Sequence, residues 1–527
     1  MSYQKPGVTV RQVQVSQSFP LPDPTLKSAV VGPGYIWVDP TVAIETKYVG
    51  AELVVILPYE VANIVAGSVV VYLANEGTTG TPGDVVYLES GGYTLAAPDL
   101  VDGTSLLTIP AGQEIRTNVA LDKASVHIGY LAKNAERENT LIEIDDAKQI
   151  NDFISKSTLD PSRQWFNPLV FGASMLFQNG ASKFYAGVTA KGSAVSTGVT
   201  LFEGALDVYS IAVLSSLEAD ITAFKSHATA MSAPEEKGER IVIGSVAGIA
   251  DYESGTKAEN ATALKNWAMG QGEKRLFNIH PEVAYVRMTN ANLGTLTTAF
   301  ITAAFGATFA GAHRPIWVAS ATDGSYQKGD SVTDAQITTI KAVSTTTKVE
   351  VDVLIPVPGY YMAAALAGKI SVNTPSQPLT NSSIAGFSKL EFSNKYFKNS
   401  DLNTIASGGN LIMEDVGGLL IRHQLSTNAL TAQTRELSIT TAIDYSAKFL
   451  RDFVSPLIGK FVISPALTKN LTAAFNSAAN VLIDNGIVAD LKLDNLFQDP
   501  DAPSTLKVDF SLKLLYPLNY IKITLTF

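Results

Sequence analysis

The chain contains no cysteine among its 527 residues. That excludes disulfides, thiolate nucleophiles and cysteine-based zinc sites together. Charge is also scarce: Asp, Glu, Lys and Arg make up 17% of the residues, against about 25% in ordinary soluble domains. A chain of this size with so little charge has little free surface, or buries surface against partners. Its net charge is -10, so no basic excess exists to release counterions from a phosphate backbone, and nucleic acid is not an expected partner. Histidine is rarer still. His127, His227, His280, His313 and His423 never fall within five residues of one another, so no local metal pair is formed. The one uncharged stretch of membrane length, "LGTLTTAFITAAFGATFAGA" (293–312), is diluted by five threonines and three glycines. It reads as a buried Ala-rich helix, and no membrane insertion is expected. "MSYQKPGVTV" has neither the basic nor the apolar region of a secretion signal.

Motifs that bring chemistry are missing as well. Gly359 and Gly368-Lys369 superficially suggest a phosphate loop. Eight residues separate the glycines where four are required, and Ile370 stands where Ser or Thr would hold magnesium. "GSVAG" (244–248) lacks the serine of a nucleophile elbow, and "GPG" (32–34) reads as a turn. Asp499 and Asp501 lack EF-hand spacing. No catalytic residue, cofactor site or metal site is assigned, and an enzyme is not expected.

What is present is patterned apolar sequence. Hydrophobic residues make up 46%, enough for a core in each of the three or four units of roughly 150 residues expected at this length. Residues 1–24 read as an extended arm. Val8 and Val10 alternate, and Val13 and Val15 alternate one register out. Pro20, Pro22 and Pro24 then form a stiff spacer that cannot join a central ladder. Residues 25–40 and 139–384 read as an α/β middle domain, in which apolar runs such as "VYSIAVLS" (208–215) and "ERIVIGSVAG" (239–248) alternate with helical stretches. Between them, 41–138 consists of short β-branched runs separated by Gly-, Thr- and Pro-rich turns, as in a sandwich or small barrel.

Residues 385–514 read as an α+β unit. "RELSITTAIDYSAKFLRDFVSPLIGK" is expected to run from a strand into a helix bearing Ile443, Ala447, Leu450, Val454 and Leu457 on one face, stopped by Gly459. Ser464-Pro465 caps a second helix bearing Leu467, Leu471, Phe475, Ala478 and Leu482. A strand follows in which Val508, Phe510, Leu512 and Leu514 share one face. In "NYIKITLTF", Ile521, Ile523, Leu525 and Phe527 alternate with Lys522, Thr524 and Thr526. Leu515–Leu518, with Pro517, permit either a hairpin back onto 506–514 or an extended exit. Patterned strands near both ends, in a chain with no active site, point to strand donation between subunits. Where donor and acceptor surfaces differ, such contacts repeat into a ring or a helical tube.

Four stretches share a further likeness. They are "YQKPGVTVRQV" with its proline spacer and "SAVVGPG", "LIEIDDAKQINDFI…NPLVFGASMLFQNGASKFYAGVTA", "VPGYYMAAALA" (357–367), and, most specifically, "TRELSITTAIDYSAKFLRDFVSPLIGK" through "VDFSLKLLYPLNYIKITLTF". Together they resemble the tail sheath proteins of contractile phages and related contractile injection systems. The resemblance implies a central α/β domain with 41–138 as an insertion on its outer surface, an α+β C-terminal domain, and N- and C-terminal arms that donate strands to neighbours. Val8, Val10, Val13, Val15, Ile521, Ile523, Leu525 and Phe527 would be donors, and Val508, Phe510 and Leu512 acceptors. Pro20, Pro22, Pro24 and Pro517 would lie at hinges. Lys448, Arg451 and Asp452 would face the inner tail tube, although plain solvation also accounts for them. The implied partners are other copies of the chain, the tube protein, and baseplate and tail terminator proteins. The implied location is the virion, after assembly in the host cytoplasm. The rival readings are a non-contractile tube or capsid subunit, a hydrolase on the α/β domain, and an adhesin.

Overall fold

The structure, a computed structural model, describes residues 26–38, 46–49, 52–57, 70–75, 85–88, 94–96, 105–109, 124–133, 136–146, 149, 167–288, 316–321, 327–328, 331–332, 351–519, 521 and 523. It is a mixed α/β chain with several sheets. Two compact units are present, one comprising Thr25–Thr441 and Tyr516–Phe527 and the other centred on Ala442–Leu515.

The larger unit opens with β1 (Lys27–Pro33). The chain then passes into β2 (Tyr35–Val38), β3 (Thr46–Val49), β4 (Glu52–Leu57), β5 (Val70–Asn75), β6 (Val85–Leu88), β7 (Thr94–Ala96), β8 (Ser105–Ile109) and β9 (Ala124–Lys133). These form two antiparallel four-stranded sheets, in the orders β2-β9-β5-β6 and β3-β4-β8-β7. The inserted strands therefore begin at Tyr35 and not at 41, because β2 pairs with β9 and leaves the main sheet.

That main sheet resumes with β10 (Thr140–Ile144), followed by α1 (Pro168–Gln178), β11 (Phe184–Thr189), a 3-10 helix (Val195–Phe202), β12 (Val208–Val213), α2 (Glu218–Met231), β13 (Ile241–Gly244), α3 (Lys257–Gln271) and β14 (Leu276–His280). A second sheet takes β15 (Val283–Met288), β16 (Ile316–Ala321), β17 (Ser331–Val332), β18 (Val351–Pro358) and, after α4 (Tyr360–Val372), β19 (Lys389–Leu390). Then α5 (Asn399–Ser407), β20 (Asn410–Asp415), β21 (Leu419–His423) and the short α6 (Ala432–Arg435) complete the unit. The main sheet runs β10-β11-β1-β12-β13-β14-β20-β21. Its six central strands are parallel, and its two edges are antiparallel. β20 and β21 lie in this sheet, so the boundary expected at 385 is corrected. Their short apolar runs give no sign of which sheet they extend, and only the parallel pairing of β20 with β14 shows it.

Both faces are covered, which is why the parallel strands read as continuous apolar runs. Along β1, Val30 faces the core built with α1 and α4, whereas Ala29 and Val31 face the 3-10 helix and α2. α4 is apolar all round and buried from Tyr360 to Gly368, as such a helix must be. Its carbonyl at Ala367 accepts a hydrogen bond from Ser28 Oγ at 2.6 Å, tying helix to strand. Gly368 meets α1 directly: a Cβ there would lie 2.4 Å from the Leu176 carbonyl oxygen. The glycine that mimicked a phosphate loop in the sequence is a helix-crossing point.

Buried polar groups close the remaining gaps. Arg240 is wholly buried. It donates to the carbonyls of Gly238, Phe202 and Ala205, and its Nη1 lies 3.1 Å from His227 Nε2. An arginine can only donate, so His227 accepts there and is neutral. Burial, then the Arg240 charge, pushes the His227 pKa down to about 4. Burial pushes His280 down to about 4 as well, against the opposing pull of the Phe392 carbonyl.

Two outcomes are expected. Gly368→Ala removes a helix-disfavouring glycine, a gain of about 1 kcal/mol, but drives a methyl into backbone that cannot yield. A net loss of about 1–2 kcal/mol should appear as a lower calorimetric Tm. Both histidines have folded pKa values below the unfolded value of 6.5. Stability should therefore be whole above pH 6.5 and fall as pH drops towards 4, with a slope of about 1.4 kcal/mol per unit for each histidine. Denaturation of His227→Gln at pH 7 and pH 5 should show a shallower loss than wild type.

Candidate functional site

The smaller unit begins within α7 (Leu437–Val454) and continues through α8 (Pro465–Asp484) and the hairpin of β22 (Asp490–Gln498) and β23 (Leu506–Lys513). The segment from Leu437, expected to start as a strand, is helical. Its β-branched Ile439, Thr440 and Thr441 are all buried, and packing overrides their strand preference. The deepest face of α7 in this unit is Ala442, Phe449 and Phe453, with Leu450, Val454 and Leu457 only partly buried beside it. Ser464 caps α8 by accepting from the Leu467 amide at 3.2 Å, with Pro465 at the first position. Leu471, Phe475, Ala478 and Leu482 face the core as expected. Phe475 meets Phe453 at 5.8 Å and Phe510 at 5.4 Å between ring centroids, so the hairpin rests on the helices through aromatic contacts.

The hairpin pairs Asp490 with Lys513 through to Gln498 with Leu506, with one bulge between Leu493 and Asn495. Val508 and Phe510 are half-buried against the helices, and Leu512 is 37% exposed. Asp499 in the loop is held by Lys507 Nζ at 2.8 Å and accepts from the Asp501 amide, so its carboxylate serves the turn. Two strands make a marginal sheet without support. Among the described residues, no third strand pairs with either β22 or β23.

Beyond β23 the chain presents Leu518, Ile521 and Ile523 at 79%, 74% and 79% exposure. No described residue of this segment is in a strand. Instead, Tyr516 OH accepts from Gln433 Nε2 at 2.8 Å, and Asn519 Nδ2 donates to Glu436 Oε1 at 3.1 Å. Pro517 lies between these two anchored residues. Sequence reasoning missed Gln433, Glu436, His423 and Asn519 as a group. Between 83 and 96 residues separate the partners from the arm, and no periodicity spans such a gap.

Of the other expected site residues, Val8, Val10, Val13, Val15, Pro20, Pro22, Pro24, Leu525 and Phe527 lie outside the described residues, as do Ile150, Phe153 and Ile154 of the helix expected after Asp146. Lys448 is buried, Arg451 is half-buried and Asp452 is exposed, so the three do not form one solvent-facing cluster.

The main sheet also has a place where α/β folds usually bind ligands. Its parallel order places the topological switch between β1 and β12, at the carboxyl ends of the strands. Leu214 packs close to β1 there: a Cβ on Gly32 would lie 2.8 Å from the Leu214 Cβ. Among the described residues, no group of three or more His, Asp or Glu is placed to hold a metal, and no helix is long and apolar enough to cross a membrane.

The described chain is thus a mixed α/β protein whose distinctive surfaces are an exposed apolar arm and a two-stranded hairpin. No family model matches it. It is similar to the tail sheath protein of Mycobacterium phage Bxz1, with 28% identity over 167 residues. The match covers 31% of this chain and spans 28% of that relative's length. Among solved structures it is similar to the contracted helical sheath of the anti-feeding prophage, with a TM-score of 0.48 and 11% identity over 74% of this chain and 89% of that one. The contracted sheath complex of the extracellular contractile injection system PVC gives 0.47 and 10% over 74% and 87%. A sheath tail protein from Desulfitobacterium hafniense gives 0.37 and 11% over 97% and 100%. The chain resembles contractile tail sheath proteins.

Proposed function

We propose that this chain is the structural subunit of a contractile phage tail sheath. Copies polymerise into a helical tube around an inner tail tube, and contraction rearranges folded subunits to drive that tube through the host envelope. The observation that carries this reading is the combination of an exposed apolar C-terminal arm with a hairpin lacking a third strand among the described residues. Ile521, Ile523, Leu525 and Phe527 of one copy, and Val8, Val10, Val13 and Val15 of another, extend the β22–β23 sheet of a neighbour. Main-chain hydrogen bonds supply affinity, and alternate side chains supply register. Each exposed Leu or Ile so covered contributes roughly 1.5–3 kcal/mol. Because the donor and acceptor surfaces differ, the contact is heterologous, and it builds a helical tube when the rotation does not close into a ring. The name of the curated relative supports the same reading. The baseplate, terminator and tube proteins are the further partners of this reading, and the virion tail is its location. Pro20, Pro22 and Pro24 are its N-terminal hinge.

Electron microscopy of the purified protein should show wide hollow helical tubes. Narrow tubes or closed shells would favour a non-contractile virion protein instead. A chain ending at Asn519 should remain folded, with its Tm within about 2 °C of wild type, because Ile521 and Ile523 are exposed and contribute little to the fold. It should also fail to polymerise. Normal tubes from that truncation would exclude donation by this arm.

A further inference from the structure

We propose that His423, Glu436 and Asn519 form a latch that fixes where the C-terminal arm leaves the α/β unit, so that the donor segment starts after Asn519 and not at Pro517. The proposal rests on the strand-donation reading for its consequence, but not for its geometry. Glu436 is 1% exposed, immediately before α7. Its Oε1 receives His423 Nε2 at 2.9 Å, Asn519 Nδ2 at 3.1 Å and Arg435 Nε at 3.3 Å. A buried carboxylate can only accept and is costly to leave unpaired. That requirement settles the imidazole: the Nε2 proton is spent on Glu436, and the 3.1 Å approach of Asn519 Nδ2 to His423 Nε2 is a packing contact. Thr380 Oγ1 reaches Asn519 Oδ1 at 3.5 Å, and the Asn519 amide donates to the Pro517 carbonyl at 3.1 Å.

Arm and latch therefore differ in chemistry at a single residue. Up to Asn519 the segment is held by polar contacts to its own unit. Beyond it, Ile521 and Ile523 are apolar, exposed and outside any strand. Backbone already ordered at the root need not be ordered again when the strand docks on a neighbour, which lowers the entropic cost of assembly. The latch is also under-satisfied. Glu436 Oε2 is buried with no hydrogen-bond partner, as is Thr440 Oγ1 one helical turn on. All three donors crowd one oxygen, so losing any one of them is felt.

Hydrogen–deuterium exchange of the full-length monomer tests the latch directly. Asn519→Ala should speed exchange of residues 514–523 roughly tenfold or more, the equivalent of a hydrogen bond to a charged group. Peptides from β22, β23 and the main sheet should keep wild-type rates, which shows that the variant is folded. Asn519→Asp places a second carboxylate against Glu436 and should release the segment at least as far. Unchanged exchange in both variants would refute the latch. Polymerisation, followed by light scattering, then judges its role, and Asn519→Ala should assemble more slowly than wild type. Wild-type rates despite faster exchange would refute any role in assembly. If wild type itself forms no tubes, the sheath reading fails while exchange still decides the latch.

Discussion

The α/β unit depends on the burial of one helix. Tyr360–Val372 has no polar face until Lys369, and its run of alanines lets α1 and the strands of the main sheet approach closely. The helix follows directly from β18 of the second sheet and shares one core with β15, β1 and β12. Its burial therefore joins the main sheet and the second sheet through one core. Gly368 against the Leu176 carbonyl and Ser28 against the Ala367 carbonyl mark how little clearance remains. A core packed this closely transmits displacement as a body and does not deform around it.

Against this rigid unit, the C-terminal arm is an apparent defect. Exposed Leu518, Ile521 and Ile523 are the aggregation hazard that soluble proteins usually blunt with charge or proline. Here no described residue of the arm is in a strand. It is held at its root by a buried carboxylate and left apolar beyond. Polar anchoring and exposed apolar side chains are thereby separated along the sequence at Asn519.

Much of the architecture was legible from local pattern. The alternation of apolar runs and helices between 167 and 288, the cap at Ser464-Pro465 and the face Leu471, Phe475, Ala478 and Leu482 all depend on neighbours three or four residues away, or on strand period. Errors arose where tertiary context outweighed propensity. Ile439, Thr440 and Thr441 read as a strand but sit in a helix, because each is buried by packing that no short window contains. The 385 boundary failed for a related reason: β20 and β21 are too short to announce which sheet they extend, and only the parallel pairing with β14 places them.

Composition and periodicity by themselves determined that the chain is multidomain, free of thiol chemistry, α/β in its centre and β-patterned near both ends. Those properties follow from residue type and spacing along the chain. Tertiary structure alone decided that Gly368 is a helix crossing, that Leu214 packs against Gly32, that Lys448 is buried, and that Asn519 is tied to Glu436. Each of these joins residues far apart in sequence, where the energy lies in a contact between them and no single residue advertises its partner.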